Sequence, residues 1–276
     1  MAIPILKFWK KYYENPDEGL GSSYERIILN NKLMQICKLM KIESVLEAPS
    51  FGFTGLSGIN SMEAAKNGKK VTIVDHDKER IDLIKKTWAS VNLPLETAFS
   101  DNYSELPFDD GSFDLSWNFS ALWFVRDLEV FLSELDRVTR KVILICVPNR
   151  AGIGFLNQKY TGKNDLKKYL KEEFIIPRNF KKILEDSGWQ KMSSGYIDCP
   201  PWPDIGMAKE DFLKKFGIKI PQKDSEHEPV TVMDYYSGKS PDFPEKMMKL
   251  SFVENNAPEL FKMFWAHHRY FFFVRK

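Results

Sequence analysis

Residues 45–60 read VLEAPSFGFTGLSGIN and form the most informative stretch of the chain. The stretch begins as a short apolar strand, reaches an acid at Glu47, and continues through glycines at positions 52, 55 and 58. Glycine adopts backbone conformations that other residues avoid and lets a ligand approach the main chain closely. A dinucleotide-binding loop reads Gly-x-Gly-x-x-Gly, a different spacing. The stretch therefore predicts a ligand-binding loop after a first strand, in a register that disfavours a pyrophosphate.

Short apolar segments alternate with helical patterns on the C-terminal side of this loop. The stretch at 77–91 carries Ile81, Ile84 and Trp88 three or four residues apart, as an amphipathic helix does. The predicted strands are SVLEA at 44–48, VTIVD at 71–75, LETAF at 95–99, FDLSWNF at 113–119 and KVILICV at 141–147. Such alternation predicts an α/β fold of the Rossmann-like, doubly wound type, with a mostly parallel sheet and helices on both faces.

The remaining segments complete one predicted domain over residues 1–276. Residues 1–43 are expected to form an N-terminal lid and a leading helix, which begins at a capping box of Ser22 and Glu25. The core follows at 44–198, and ends with a helix after Pro177 and a strand at about 191–198. We expect 199–258, which is rich in proline, to be a long irregular insertion that either covers the site or serves as a structural flap or an interface. The final strand lies in 259–276.

Composition narrows the classes of function. The chain has 276 residues, 43% of them hydrophobic, and 40 basic against 38 acidic residues give a net charge of +2. This balance does not indicate a nucleic-acid partner. Neither a membrane span nor a signal peptide is visible, so we expect a cytoplasmic protein with no membrane partner. The three cysteines have no Cys or His at ligand spacing, and no metal site is predicted.

Three acids follow the first three strands, where ligands bind in open α/β sheets. The carboxylate of Glu47 suits a ligand with a positive amino group. Asp75 suits two ribose hydroxyls, and Asp101 suits an exocyclic amine, although a turn residue and a solvated loop acid are the alternatives. Asp77 is better explained as a helix N-cap. A ligand with an amine, a ribose and a purine fits this set, and S-adenosylmethionine is such a ligand.

These motifs resemble those of a class I S-adenosylmethionine-dependent methyltransferase of the small, methyltransferase-domain type. They are the glycine loop, VTIVDHD at 71–77, SDNYSELPFDDGSFDLSWN at 100–118 and VILICVPN at 142–149. The segment FWKKYYENPDEGLGSSYER at 8–26 is similar to the lid of many such domains. In this chain Pro49 and Phe51 stand where the first two glycines of the loop are expected.

The resemblance implies a seven-stranded sheet whose last strand is antiparallel, with S-adenosylmethionine as cofactor. His76 holds the position that faces adenine in the family, although an exposed residue at a helix start is the alternative. The cofactor-binding residues that the resemblance and the strand-end acids predict are Glu47, Gly52, Gly55, Asp75, His76, Asp101, Asn102 and Asn118.

Candidates for the acceptor side come from strand ends. Asn118 lies beside the expected methyl position, and Tyr196, His267 and His268 are candidate general bases. Strand alternation implies that His267 and His268 do not both face the cleft. The [DN]PP[YF] tetrapeptide of base-modifying enzymes is missing from the sequence, which disfavours nucleic-acid bases as acceptors. The expected partner is a small-molecule acceptor, and the sequence leaves the oligomeric state open.

The predicted reaction is methyl transfer from the sulfonium of S-adenosylmethionine to a small-molecule nucleophile. An in-line displacement of this kind depends mainly on proximity and on exclusion of water. Two alternatives stay open at this point. One is a nicotinamide-dependent oxidoreductase, and the other is a non-catalytic protein that binds S-adenosylmethionine or acts as a scaffold.

Overall fold

A computed structural model describes residues 8–52, 55–161, 171–202 and 231–276. Within these ranges seven strands form one sheet in the order β3-β2-β1-β4-β5-β7-β6. The strands are β1 Ser44–Glu47, β2 Lys70–Asp75, β3 Glu96–Phe99, β4 Phe113–Phe119, β5 Thr139–Pro148, β6 Trp189–Ile197 and β7 His268–Arg275. Each strand predicted between residues 44 and 198 is present, with ends that differ by at most two residues.

The strand directions follow the predicted pattern. β1 pairs in parallel with β2 and β4, and parallel pairing continues from β2 to β3 and from β4 to β5. β7 lies antiparallel between β5 and β6. The prediction of a mostly parallel seven-stranded sheet with an antiparallel last strand is confirmed. The dinucleotide-binding sheet has the strand order 3-2-1-4-5-6, so this topology counts against a nicotinamide-dependent oxidoreductase.

Helices surround the sheet and connect its strands. They are α1 Lys11–Glu14, α2 Gly19–Leu39, α3 Met62–Lys66, α4 Lys78–Ser90, α5 Leu128–Val138, α6 Ile153–Thr161, α7 Pro177–Asp186, α8 Val232–Tyr236, α9 Phe243–Met248, α10 Phe252–Asn256 and α11 Glu259–Trp265. Short 3-10 turns lie at Leu122–Phe124 and Glu172–Ile175. Over the described ranges, no helix has the length and apolarity that a membrane crossing requires.

The two faces of the sheet hold separate apolar clusters, because successive strand residues point to opposite sides. In β5, Val142 and Leu144 pack with α2 and α4 on one face, whereas Ile143 and Ile145 pack with α5 and α7 on the other. Strand residues in the centre are buried on both sides, and all seven residues of β4 are buried. The doubly wound arrangement leaves the carboxyl edge of the strands as the place for a ligand.

The leading helix does not begin at the predicted capping box. α2 starts three residues earlier, at Gly19, and the side chain of its N-cap residue, Glu18, makes no capping hydrogen bond. The carboxylate of Asp17 accepts a hydrogen bond from the backbone N–H of Gly19 at 3.0 Å and helps to start the helix. Glu25 is 5% exposed and its carboxylate lies beside His268 on β7, so a tertiary contact replaces the local one.

The last part of the chain is more regular than predicted. Residues 232–256 form three short helices, and α11 lies within the range assigned to the final strand, which begins only at His268. The physical reason is tertiary packing: α9 buries Phe243 and Met247 in the same cluster as α2. The hydroxyl of Tyr236 on α8 also accepts a hydrogen bond from Asn30 at 2.8 Å. Residues 203–230 of the predicted insertion lie outside the described residues.

Candidate functional site

Four candidate side chains reach one edge of the sheet. Glu47 ends β1, Asp75 ends β2, and Asn118 is the penultimate residue of β4. β7 runs antiparallel, and its first residue, His268, pairs with Pro148 at the end of β5. These side chains therefore lie along the edge where open α/β sheets bind their ligands.

Glu47 is enclosed by its own chain. The residue is 1% exposed, and its carboxylate accepts hydrogen bonds from Asn60 Nδ2 at 3.0 Å and from Ser61 Oγ at 2.6 Å. Burial raises the pKa of Glu47 to about 7, while those hydrogen bonds and the charge of Arg26 oppose the shift. Glu47 therefore changes charge near neutral pH.

Asp75 is fully buried, and Arg80 of the following helix neutralises it. One carboxylate oxygen accepts hydrogen bonds from the Arg80 guanidinium at 2.6 Å and from the backbone N–H of Asp77 at 2.9 Å. The other accepts from Arg80 Nε at 2.9 Å and from Ser50 Oγ at 2.5 Å. A carboxylate has about four lone-pair sites, so these donors saturate Asp75.

Arg80 is itself held between two aromatic rings. Its guanidinium carbon lies 4.0 Å from the ring centre of Phe51 in the loop and 4.9 Å from that of Trp9.

The N-terminal segment makes two further contacts near Arg80. Tyr13 donates a hydrogen bond to the carbonyl of Ser57 at 3.0 Å, and Lys10 Nζ lies 2.7 Å from a Glu79 carboxylate oxygen. In this arrangement the N-terminal segment lies across the glycine loop and α4.

Other residues of the protein occupy the space next to the glycines of the loop. Gly55 has a positive φ of 35°, and a Cβ built on it would lie 2.0 Å from the carboxylate of Glu18. That carboxylate accepts a hydrogen bond from the backbone N–H of Leu56 and pairs with Arg26, and both charged side chains are at most 2% exposed. A Cβ on Gly52 would lie 2.5 Å from the carbonyl oxygen of Phe119. Gly52 thus permits close packing of the loop on β4.

The predicted adenine side of the site is partly open. His76 Nδ1 lies 2.8 Å from the hydroxyl of Tyr103, and burial lowers the pKa of His76. The imidazole also packs edge to face with Phe51, with ring centres 6.2 Å apart. Asp101 is exposed, and Asn102 accepts a hydrogen bond from the backbone N–H of Ser104 at 2.9 Å. His76 therefore lies in an aromatic corner, whereas Asp101 and Asn102 lie on an accessible loop.

Asn118 and Ser120 carry unsatisfied polar atoms at the end of β4. Both residues are 0% exposed, and neither the amide of Asn118 nor the hydroxyl of Ser120 has a hydrogen-bond partner in the part of the chain that the structure describes. Ser120 also has a positive φ of 50°. An unsatisfied buried polar group costs about 1–3 kcal/mol. Such groups indicate a place where a ligand or water completes the hydrogen bonding.

The two histidines of the C-terminal segment both reach Asp198, which directly follows β6. His267 Nδ1 lies 2.7 Å from a carboxylate oxygen of Asp198, and His268 Nδ1 lies 3.4 Å from the same oxygen. The expectation that only one of them faces this edge was wrong, because His267 precedes β7 and the alternation of a strand does not apply to it. Glu25 of α2 completes the group, with a carboxylate oxygen 3.4 Å from His268 Nδ1.

Tyr196 is not brought together with these residues. Its neighbour Ile197 packs in the cluster under α2, so Tyr196 on the same strand points to the opposite face. There its ring lies 5.2 Å from the guanidinium carbon of Arg269. The position makes Tyr196 the weakest of the general-base candidates.

Sequence reasoning missed the charged side chains that fill the site. Arg80 stands one and two helical turns before Ile84 and Trp88, and all three side chains are buried. Arg26 stands one turn before Asn30, also on the buried side of α2. A basic residue on the apolar face of a helix was a visible signal, since arginine is almost never buried without a partner. The partners, Asp75 and Glu18, were not identified from the sequence.

The cofactor that the sequence resemblance implies fits these residues in part. The unsatisfied Asn118 and Ser120 suit a polar ligand at the end of β4. At the ribose end Asp75 has no acceptor site left, and Glu18 already holds the backbone N–H of Leu56. The arrangement therefore fits S-adenosylmethionine only when Arg80 and Glu18 have been displaced.

A sizeable cavity lies away from this edge. Its volume is about 580 Å³, and its walls include Leu106, Phe108, Glu134 and Arg137. The two charged residues form an ion pair of 2.8 Å. Nothing in this cavity matches the candidate chemistry.

Comparison with known proteins gives matches of two kinds. Residues 53–145 match a family described as a methyltransferase domain. No curated protein matches the chain. Among similar solved structures is an S-adenosylmethionine-dependent methyltransferase of Thermotoga maritima, described as a possible histamine N-methyltransferase. It is 13% identical with a TM-score of 0.56, over 98% of each chain.

Two further solved structures share the fold. The MccD protein is 15% identical with a TM-score of 0.51, over 90% of this chain and 96% of that chain. The [4+2]-cyclase SpnF is 10% identical with a TM-score of 0.50, over 89% of this chain and 80% of that chain. At these identities the likeness concerns the fold.

Proposed function

The chain carries a class I S-adenosylmethionine-dependent methyltransferase domain, and on that premise we propose that it methylates a small-molecule nucleophile. One observation carries the proposal: the polar side chains at the carboxyl ends of β4 and β5, and at the start of the antiparallel β7, are enclosed by the chain. Asn118, Asn149 and His268 are 0%, 1% and 5% exposed. A small acceptor can be enclosed in this way, whereas a polymer needs an open cleft.

The enclosure has identifiable contacts. The side-chain amide of Asn149, directly after β5, donates hydrogen bonds to the carbonyls of Met263 at 2.9 Å and Ala266 at 2.8 Å. The indole of Trp265 donates to the carbonyl of Pro200 at 2.7 Å. Tyr24 of α2 packs edge to face on Trp202, with ring centres 5.5 Å apart. These contacts cover this edge of the sheet and support an acceptor of limited size.

The protein's part in the reaction is alignment. When bound, S-adenosylmethionine supplies a methyl group that its sulfonium already activates. The amide of Asn118 offers a donor and an acceptor at the end of β4, and we assign it the orientation of a ligand group there. An enclosed, dry site holds the nucleophile in line and keeps water away. The proposal needs no dedicated base.

A second candidate function rests on a different observation. Asp75 is saturated by Arg80, and Glu18 occupies the glycine loop, which favours a domain that has lost turnover and acts as a scaffold. One of the similar structures is described as a [4+2]-cyclase. A shared fold therefore does not determine the reaction. The two candidates differ in whether the demethylated product forms.

The test is a product assay with a matched pair of variants. The protein is incubated with S-adenosylmethionine and a panel of small oxygen, nitrogen and carbon nucleophiles, and S-adenosylhomocysteine is measured. Asn118→Ala should lower turnover about tenfold or more, the equivalent of losing one hydrogen bond of about 1.4 kcal/mol. It should leave the melting temperature nearly unchanged, because the amide has no partner among the described residues. The control is Asn67→Ala, on the surface.

Three outcomes are informative. Product with small acceptors, reduced in Asn118→Ala but not in Asn67→Ala, supports the proposal. Product only with added protein or nucleic acid would contradict the small-molecule assignment. Cofactor binding without product from any acceptor would favour the scaffold.

A further inference from the structure

One histidine and two carboxylates meet beneath α2, at the edge of the sheet formed by β6 and β7. Glu25 lies on α2, Asp198 directly follows β6, and His268 begins β7. They are 5%, 1% and 5% exposed. One ligand atom from each residue can be chosen so that all three lie within 4.8 Å of one another. We refer to Glu25, Asp198 and His268 as the Asp198 cluster.

The cluster lacks the hydrogen bonds that buried polar groups require. Neither ring nitrogen of His268 has a hydrogen-bond partner in the described part of the chain. The same holds for Glu25 Oε1 and Asp198 Oδ1. More than nine-tenths of buried polar groups in folded proteins are satisfied. Four unsatisfied atoms on three touching side chains therefore indicate a shared ligand.

The spacing of the atoms suits a metal ion. His268 Nδ1 lies 3.4 Å from Oε2 of Glu25 and 3.4 Å from Oδ2 of Asp198, the second oxygen of each carboxylate. Zinc binds histidine nitrogen and carboxylate oxygen at about 2.0–2.2 Å, so two ligands of a tetrahedral site lie about 3.4 Å apart. Two carboxylates and a neutral imidazole also balance the charge of a divalent cation. His267 holds Asp198 through its 2.7 Å contact, as outer residues orient the ligands of metal sites.

We propose that Glu25, Asp198 and His268 bind a divalent first-row cation, of which Zn²⁺ fits best. Three protein ligands leave the fourth tetrahedral position for an exogenous oxygen, the arrangement of catalytic rather than structural zinc sites. The ring of His268 packs on Phe119 at 4.5 Å, next to Asn118. A role of the ion in holding an acceptor oxygen rests on the proposed function, whereas ion binding does not.

A shared proton is the competing explanation of the cluster. One proton between Glu25 and Asp198 would relieve the repulsion of two close carboxylates. It would leave both nitrogens of the buried imidazole without partners. A cation in contact with all three residues takes one nitrogen of the imidazole as a ligand, so the unsatisfied imidazole favours the cation.

Equilibrium dialysis of the chelator-treated full-length protein against Zn²⁺ tests the proposal directly. We expect one equivalent of Zn²⁺ per wild-type chain. His268→Gln and Glu25→Gln should each weaken binding at least about tenfold. The matched control is His76→Gln, which removes another imidazole beside a carboxylate, with His76 Nδ1 3.8 Å from Asp75. Since Arg80 already holds Asp75, that variant should bind Zn²⁺ as the wild type does.

Cobalt substitution covers the case in which a variant does not fold. Wild-type protein with Co²⁺ should show the visible bands of a tetrahedral site with nitrogen and oxygen ligands. Absence of stoichiometric Zn²⁺ and Co²⁺ binding, or equal binding by wild type and both cluster variants, would overturn the proposal. A sulfur-to-cobalt charge-transfer band would also overturn it, because it would place the ion on a cysteine. None of these readouts depends on methyl transfer, so metal binding is tested independently of the proposed function.

Discussion

Arg80 controls whether Asp75 can meet a ligand. The guanidinium takes two of the four acceptor sites of the buried carboxylate, and it stacks on Phe51 and Trp9. A ribose at Asp75 must therefore compete with an intramolecular ion pair. Because Arg80 is held five residues from Asp75 in the same chain, the apparent affinity for the cofactor is lower than it would be with an unpaired Asp75 carboxylate.

Replacing Arg80 should separate the two roles of Asp75. We predict that Arg80→Met strengthens S-adenosylmethionine binding about tenfold, because two acceptor sites become free. The same variant should lose about 3–5 kcal/mol of stability, because the buried carboxylate loses its charged partner. Calorimetric titration and thermal melts on one preparation measure both quantities. If affinity fell instead, Arg80 would belong to the binding site and not to a competing contact.

Asp77→Ala is the control for that experiment. Its carboxylate accepts a hydrogen bond from the backbone N–H of Arg80 at 3.1 Å, as the N-cap role predicted from the sequence requires. The variant should cost about 1 kcal/mol of stability and leave affinity nearly unchanged. An affinity loss confined to Asp77→Ala would move the ribose contact two residues along the chain.

Glu47 should give the protein a pH-dependent stability of unusual sign. Its pKa rises from an ordinary value of 4.5 to about 7 in the folded chain, mainly through burial. Between these values the folded state binds more protons than the unfolded state, so stability falls as pH increases. A shift of this size corresponds to about 3 kcal/mol. We predict that Glu47→Gln reduces the decline in denaturant midpoints between pH 5 and 8, while Glu254, whose pKa burial also raises to about 7, maintains part of it. Parallel curves for both proteins would contradict this.

The sequence predicted those helices and strands whose positions depend on the local spacing of apolar residues. Buried strands such as β5 are recognised in the sequence as apolar runs. α4 is recognised by the spacing of Ile81, Ile84 and Trp88. The start of α2 and the helices after residue 231 could not be predicted in the same way. Their boundaries depend on tertiary contacts such as Asn30 with Tyr236, and proline content suggested irregular chain instead.

The helices after residue 231 are predicted to stabilise the core, beyond any role as a cover. Phe243 of α9 is 4% exposed and packs with α2, whereas Phe252 of α10 is 46% exposed. Phe243→Ala should lower the free energy of unfolding by about 3–5 kcal/mol. Phe252→Ala, the matched control, should change it by no more than about 0.5 kcal/mol. Equal effects in denaturant titrations would show that α9 does not belong to the core.

At the scale of the whole molecule, the sheet and the place of its binding edge were predictable from the sequence. Strand-end acids mark that edge because parallel strands all end there. The pairs that fill it were not predictable. Glu18 reaches Leu56, and Glu25 reaches residues 198 and 268, so no local pattern connects them. Through these contacts, side chains of the domain already pair with groups that were predicted to bind the cofactor. The central question is therefore whether the domain still binds a cofactor.

Calorimetric titration of the wild-type protein with S-adenosylmethionine, S-adenosylhomocysteine and NAD⁺ answers that question most directly. We expect one binding event per chain with each sulfur compound and no binding of NAD⁺. The sulfur compounds should also raise the melting temperature, because they bind only the folded chain. Heat from NAD⁺ together with no response to either sulfur compound would contradict the assignment of an S-adenosylmethionine site.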